Sequence, residues 1–133
     1  MLLEKDLKKI LDLFIREDAV QFSIDNTDIS IRHFDEASKA IFSTTVYSGD
    51  NFIPPSVRKC AHQNHMEYGR LKTSLSIDEN KFQITLIHLE EMDGLNRHNF
   101  SQIIQEFVDI AEKWRAILDE NDRNDLVYIH SKL

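Results

Sequence analysis

NRHNFSQIIQEFVDIAEKWRAILDE, residues 96–120, is the stretch around which the rest of the chain has to fold. Phe100, Ile103, Ile104, Phe107, Val108, Ala111, Trp114, Ile117 and Leu118 recur at steps of three and four, which draws one apolar stripe along a helix of 3.6 residues per turn. Glu106, Asp109, Glu112, Lys113, Arg115 and Asp119 occupy the positions between and make a wet face. No glycine or proline interrupts the run. Asn99 followed by Gln102 has the spacing of a capping box, so the helix is expected to start at Asn96 or Asn99. A helix of about 24 residues is about 36 Å long. Burying its Trp, two Phe and aliphatic side chains contributes on the order of 10 kcal/mol before conformational entropy is set against it. Such a stripe needs a broad apolar surface beneath it.

The middle of the chain offers that surface. Leu71, Thr73, Leu75 and Ile77 alternate with polar residues, Asp78-Glu79-Asn80-Lys81 turns, and Phe82, Ile84 and Leu86 alternate again. This predicts a β-hairpin with a loop of about four residues. Glu90 to Gly94 reads as the loop that leads into the long helix.

Upstream, Leu3, Leu7, Ile10, Leu11 and Phe14 predict an amphipathic helix over residues 2–17, with Lys5, Asp6, Lys8, Lys9 and Asp12 on its solvated face. Val20, Phe22 and Ile24 alternate, Asp25-Asn26-Thr27-Asp28 is a turn cluster, and Ile29 and Ile31 open a second strand that runs to Phe34. A polar loop, Asp35 to Lys39, precedes a strand over Ile41 to Tyr47, rich in β-branched and aromatic residues. Pro54 and Pro55 open a short helix over 55–67, which Gly69 would stop. The order of helix, strands, short helix, hairpin and long helix predicts an α+β fold, a mainly antiparallel twisted sheet of about five strands flanked by three helices. Residues 1–121 form one domain in this reading, and 122–133 a C-terminal tail. Ile41, Phe42, Tyr47, Ile87 and Leu89 give several strands apolar residues on both sides, and exposed apolar surface marks a partner.

Composition narrows the function. A chain of 133 residues with 41% hydrophobic and 29% charged residues is globular and large enough for a core. Its net charge of −7 repels phosphate backbones, so direct nucleic-acid binding is not expected. The lone Cys60 excludes an intrachain disulfide and fits a reducing cytosol. Charges interrupt the N-terminal MLLEKDLKKILDLF and no small-residue cleavage site follows, so no signal peptide is expected, and no stretch is long enough for a membrane span.

No catalytic motif is present. Gly49, Gly69 and Gly94 are isolated, so there is no phosphate-cradling loop, and neither a paired-histidine zinc helix nor a nucleophile elbow occurs. Cys60, His62 and His65 are the one constellation with metal or nucleophile chemistry in it. On a helix Cys60 and His62 point about 200° apart, and zinc requires four converging ligands, so Cys60 is read as a small packed hydrophobe. An enzyme using Cys60 is the weakest of the readings. His88 is read as a satisfied sheet residue, and Glu90-Glu91 as solvated loop charges. No metal, cofactor or catalytic residue is expected.

From Gly69 to Asp119 the chain resembles the small acidic class I chaperones of bacterial type III secretion, of the CesT or Tir-chaperone type. A Gly-Arg-Leu-x-Thr-Ser-Leu strand is followed by an Asp-Glu-Asn turn and a Phe-x-Ile-x-Leu strand. Glu90-Glu91-Met92-Asp93-Gly94-Leu95 is similar to the family's polar loop before its last helix, and FSQIIQEFVDIAEKWRAIL to that helix itself. The first helix and strands match by pattern only. Two departures bear on partner surfaces: Ser48-Gly49-Asp50-Asn51-Phe52-Ile53-Pro54 replaces the usual apolar-Pro-Gly segment, and the tail beyond Asn121 extends past the family's usual end.

The resemblance implies a bacterial cytoplasmic protein that works without ATP or any other cofactor. It implies a homodimer, or a heterodimer with a related chaperone. It also implies binding of the N-terminal segment of a secreted effector or gatekeeper protein, held extended, soluble and export-competent. Phe14, Ile29, Ile31, Phe42 and Val46 are the expected cargo anchors, because they lie on elements that line the family's cargo groove. Val57, Cys60, Ala61, Met66, Tyr68 and Leu71 are the expected dimer interface. The chlamydial branch of the family leaves a second role open, transcription regulation by contact with RNA polymerase or a sigma factor.

Overall fold

A computed structural model of the chain describes residues 4–34, 38–63 and 71–132, with side chains over 6–34, 38–62 and 71–122. The chain runs α1 (Glu4–Glu17), β1 (Ala19–Ile24), β2 (Thr27–Phe34), β3 (Lys39–Ser48), α2 (Pro55–Gln63), β4 (Thr73–Asp78), β5 (Gln83–Glu91) and α3 (Phe100–Lys132). The five strands form one antiparallel sheet in the order β1-β2-β3-β5-β4. The crossover through α2 carries the chain from β3 to the far edge, and the β4–β5 hairpin returns it to the centre. This is the predicted α+β architecture.

Strand parity decides which side of the sheet is covered. Thr27, Ile29 and Ile31 of β2, Ala40, Phe42 and Thr44 of β3, and Ile84, Leu86 and His88 of β5 are all buried, and the register Ile31↔Phe42↔His88 puts them on one face. On that face α3 packs over β3 and β2, α1 packs over β1 and touches α3, and α2 packs against α3. Phe42 sits at the centre, its ring 6.4 Å from Phe100, 6.1 Å from Phe107 and 5.8 Å from His88. Every residue of the predicted stripe on α3 is buried except Ile117, which is partly so. Ile110, outside that stripe, is buried as well, so the covered arc of α3 is wider than the periodicity implied.

Several turns depend on residues that tolerate left-handed backbone. Asp25 (φ 48°) and Asn26 (φ 66°) alone connect β1 to β2, because Ile24 already pairs with Thr27; the four-residue turn cluster shrinks to two. In the β4–β5 turn the Asp78 carboxylate accepts from Asn80 N–H at 2.9 Å and Lys81 N–H at 3.1 Å. Phe82 follows with φ 56°, so it belongs to the turn and not to the strand as its sequence pattern implied. Its carbonyl accepts the Gly49 N–H at 2.8 Å, which ties this turn to the end of β3.

The start of α3 is as expected, while the end of β5, the end of α3 and the interior of β3 differ from the sequence reading. β5 extends through Glu91, so Glu90 and Glu91 are strand residues, and a 3-10 turn over Met92–Gly94 follows. Asn96 and Asn99 share the start of α3: Asn96 Oδ1 accepts from Asn99 N–H at 3.0 Å, and Asn99 Oδ1 accepts from Asn96 N–H at 2.9 Å. The helix then continues through residues 122–132, which the sequence reading set apart as a tail. In β3 a bulge between Thr45 and Tyr47 breaks the alternation, so that Val46 and Tyr47 are both buried. The stop assigned to Gly69 lies outside the described residues.

Candidate partner-binding surfaces

The five expected cargo anchors are interior. Phe14, Ile29, Ile31, Phe42 and Val46 are each 3% exposed or less, packed into the core between the sheet and the helices. Each lies on the core-facing side of its element within this chain. The expected dimer residues divide. Val57, Cys60 and Leu71 are buried within the chain, Ala61 is partly exposed, and Met66 and Tyr68 lie outside the described residues.

Exposed apolar side chains stand elsewhere: Leu13 and Ile15 on α1, Phe34 at the end of β2, Phe52 before α2, and Leu89 on β5. Phe34 and Leu89 belong to the sheet face that no described helix covers. On that face the register sets Arg32, Ile41 and Leu89 in one cross-strand row and Phe34, Lys39 and Glu91 in the next. Ile87, two residues before Leu89, points the same way. The sequence reading had noted Ile41, Ile87 and Leu89 as excess apolar residues but could not separate them from Phe42, which faces the helices. Phe34 it had treated only as a strand end.

The sheet has two open edges among the described residues, β1 and β4. Along the β1–β2 hairpin a groove of about 350 Å³ is lined by Gln21, Phe22, Ser23, Asp28, Ile29 and Ser30. β4 leaves Leu75 and Ile77 partly exposed. An open strand edge offers unpaired backbone groups to an extended peptide.

The polar groups inside the fold are accounted for by structure. His88 Nε2 lies 2.7 Å from Glu90 Oε2 and its Nδ1 lies 3.2 Å from the Lys72 carbonyl, so the satisfied sheet histidine is as expected. Glu90 is a partly buried partner of His88 and not a free loop charge; the two residues share one strand face. Glu91, on the opposite face, pairs with Lys39 at 3.6 Å. Burial and the neighbouring Asp122 push the Tyr47 phenol up to about 12, with Asp119 and Asp50 adding to the effect. Arg58 on α2 grips Glu79 of the β4–β5 turn with both guanidinium nitrogens, which raises the arginine and lowers the carboxyl below the usual range. Cys60 is buried, His62 is exposed and His65 lies outside the described residues. Among the described residues no group of three His, Cys, Asp or Glu side chains could hold a metal ion, and no helix is long and apolar enough to cross a membrane.

A surface of open strand edges and one uncovered sheet face suits a protein that holds other chains. The sequence profile of the Tir chaperone protein (CesT) family matches residues 5–115, which span every element from α1 to the middle of α3. The chain belongs to the Tir chaperone (CesT) family. CesT-family proteins are chaperones of type III secretion and not enzymes. Solved structures show the same fold. A chain of the ExsC–ExsE complex superposes with a TM-score of 0.64 at 17% identity, covering 88% of this chain and 96% of that one. A chain of the ExoT–SpcS complex from Pseudomonas aeruginosa gives 0.56 at 14% identity, with 85% and 98% covered. A chain of the HopA1–SchA chaperone–effector complex gives 0.55 at 12% identity, with 87% and 99% covered. No curated protein sequence matches significantly. The CesT match ends at residue 115, within α3, which runs on to Lys132.

Proposed function

We propose that this CesT-family chain is a cytoplasmic type III secretion chaperone that binds a segment of a secreted effector or gatekeeper protein and keeps it soluble and export-competent. The observation that carries the reading is the family match over residues 5–115 on a sheet whose two edges and one face have no partner among the described residues. The named chaperone–effector complex among the structural neighbours supports it. The mechanism needs no nucleotide: an extended cargo segment gains backbone hydrogen bonds at a strand edge and buries apolar side chains on exposed sheet or helix surface. Each well-buried anchor is worth about 1.5–3 kcal/mol, so a few of them hold a cargo segment in the micromolar range or tighter.

The functional unit is a dimer in this reading, of two copies or of this chain with a related chaperone. Ala61, the expected interface residue that remains partly exposed, is the place to test it. Ala61→Glu should weaken the dimer by burying an unpaired carboxylate. Sedimentation that shows an unchanged dimer would move the interface away from α2, and a monomer that pairs only with a second small chaperone would establish the heterodimer.

Co-expression with candidate secreted proteins tests the chaperone reading. A cargo that is insoluble alone should become soluble and co-purify with the chain. Retention of RNA polymerase or a sigma factor, with no secreted protein rescued, would replace the chaperone with a transcription regulator.

A further inference from the structure

The uncovered face of the sheet is not evenly polar. Toward the β1–β2 turn it carries Ser30, Ser43, Thr45, Thr85, Ser74 and Ser76. Toward the other end stand Phe34, Ile41 and Leu89, with Phe34 43% and Leu89 49% exposed, while Ile87 lies one row back, beside Ser43 and Ser74. Arg32 lies inside this apolar corner, directly opposite Ile41 in the register and two residues from Phe34 on the same strand face. Its guanidinium is exposed, and among the described residues no carboxylate pairs with it, whereas its neighbour Lys39 is already engaged by Glu91 at 3.6 Å. A cation held beside Phe34, Ile41 and Leu89 is an arrangement that selects charge as well as shape.

Resting on the chaperone reading, we propose that this corner is a subsite for an extended partner segment in which one acidic side chain alternates with apolar ones, the acid meeting Arg32. The spacing supports the match. Alternate residues of an extended chain are about 6.5–7 Å apart and point the same way. Arg32 and Phe34 on β2 present this repeat to a segment laid along the strand direction, with Ile41 and Leu89 level with Arg32 across the sheet. An acid at one position of the segment and an apolar residue two positions on therefore meet Arg32 and Phe34 together. The preference runs against the net charge of −7, which attracts basic segments, so it can be separated from general electrostatic attraction.

The test uses two fluorescein-labelled peptides of about twelve residues, long enough to span the corner twice at about 3.3 Å per residue. In one, Val and Glu alternate at every second position with Thr between them; in the other, Lys replaces Glu. Fluorescence anisotropy at low salt should show the parent protein binding the Glu peptide about fivefold more tightly than the Lys peptide, with the difference shrinking in high salt. Arg32→Glu should reverse the preference, and Leu89→Ser should weaken both peptides about tenfold, as loss of one aliphatic anchor does. Both side chains are exposed, so circular dichroism should be unchanged. Equal binding of the two peptides, no binding of either, or a preference that survives Arg32→Glu would overturn the subsite. Self-association of the parent protein that Leu89→Ser abolishes would assign the face to a second copy and overturn it as well. If Arg32→Glu rescues a secreted protein as well as the parent does, the subsite falls and the chaperone reading stands. If the parent rescues none, the chaperone reading itself falls.

Discussion

Arg115 on α3 donates a hydrogen bond from Nη1 to Oγ1 of Thr27 on β2 at 3.0 Å, joining two residues 88 positions apart in the chain. Thr27 is fully buried at the start of its strand, and Arg115 is half-buried on the flank of the helix. The sequence pattern had put Arg115 on the wet face of α3 and Thr27 in a turn. Arg115→Met keeps the aliphatic stem but leaves the Thr27 hydroxyl without this partner. The expected cost is about 1–2 kcal/mol. Thr27→Val should cost less in the Arg115→Met background than in the parent, and a double-mutant cycle in urea measures the difference. Additive effects would show that the contact contributes nothing.

Phe107 and Trp114 lie two turns apart on the buried side of α3, and Phe107 also packs its ring on Phe42. Truncating either to Ala should destabilise the protein by about 3–5 kcal/mol through lost burial and the cavity left behind. That is a large share of the stability of a domain this size. A melting temperature of Trp114→Ala within a degree or two of the parent would show that the stripe is not core.

The two described glycines make a contrast. A Cβ on Gly49 would lie 2.1 Å from the Phe52 carbonyl oxygen, a backbone atom that can move only with the whole β3–α2 connection. A Cβ on Gly94 would meet nothing closer than 3.8 Å. Gly49→Ala should therefore cost about 1–3 kcal/mol, as overpacking does, whereas Gly94→Ala should stay within about 0.5 kcal/mol of the parent. Chemical denaturation of the two variants side by side reads the difference.

The Tyr47 phenol, raised from 10.0 to about 12 by burial and by Asp122, makes stability depend on pH at the alkaline end. Because the folded value exceeds the unfolded one, the folded state holds the proton more tightly. The contribution is fully present below pH 10 and is lost as the pH rises through 12. Tyr47→Phe should remove this part of the alkaline fall, seen as a flatter dependence of the unfolding midpoint over that range. A difference ultraviolet titration, parent minus Tyr47→Phe, should show one phenol ionising late. If the two proteins lose stability in parallel across the window, Tyr47 ionises as freely as it does unfolded.

What the chain determined by itself was whatever local periodicity encodes. The stripe from Phe100 to Leu118, the alternation around Leu75 and Ile84 and the turn chemistry of Asp25-Asn26 and Asp78 are short-range patterns, and the α+β order of elements follows from them. The partner surface was not legible in the same way. Ile31 and Phe42 look like exposed anchors, Phe34 looks like an ordinary strand end, and Leu89 cannot be told from Phe42, until the strands are paired. A period of two separates two faces of a strand but does not say which one the helices will cover. The bulge at Thr45–Tyr47, which buries two consecutive residues, and the pairing of His88 with Glu90 at 2.7 Å likewise exist only once β3 and β5 lie side by side. Only the tertiary structure could decide that α1 and α3 share one face, because that choice depends on where chain segments a hundred residues apart come to rest. By deciding it, the fold leaves Arg32 among apolar side chains on the face that stays open.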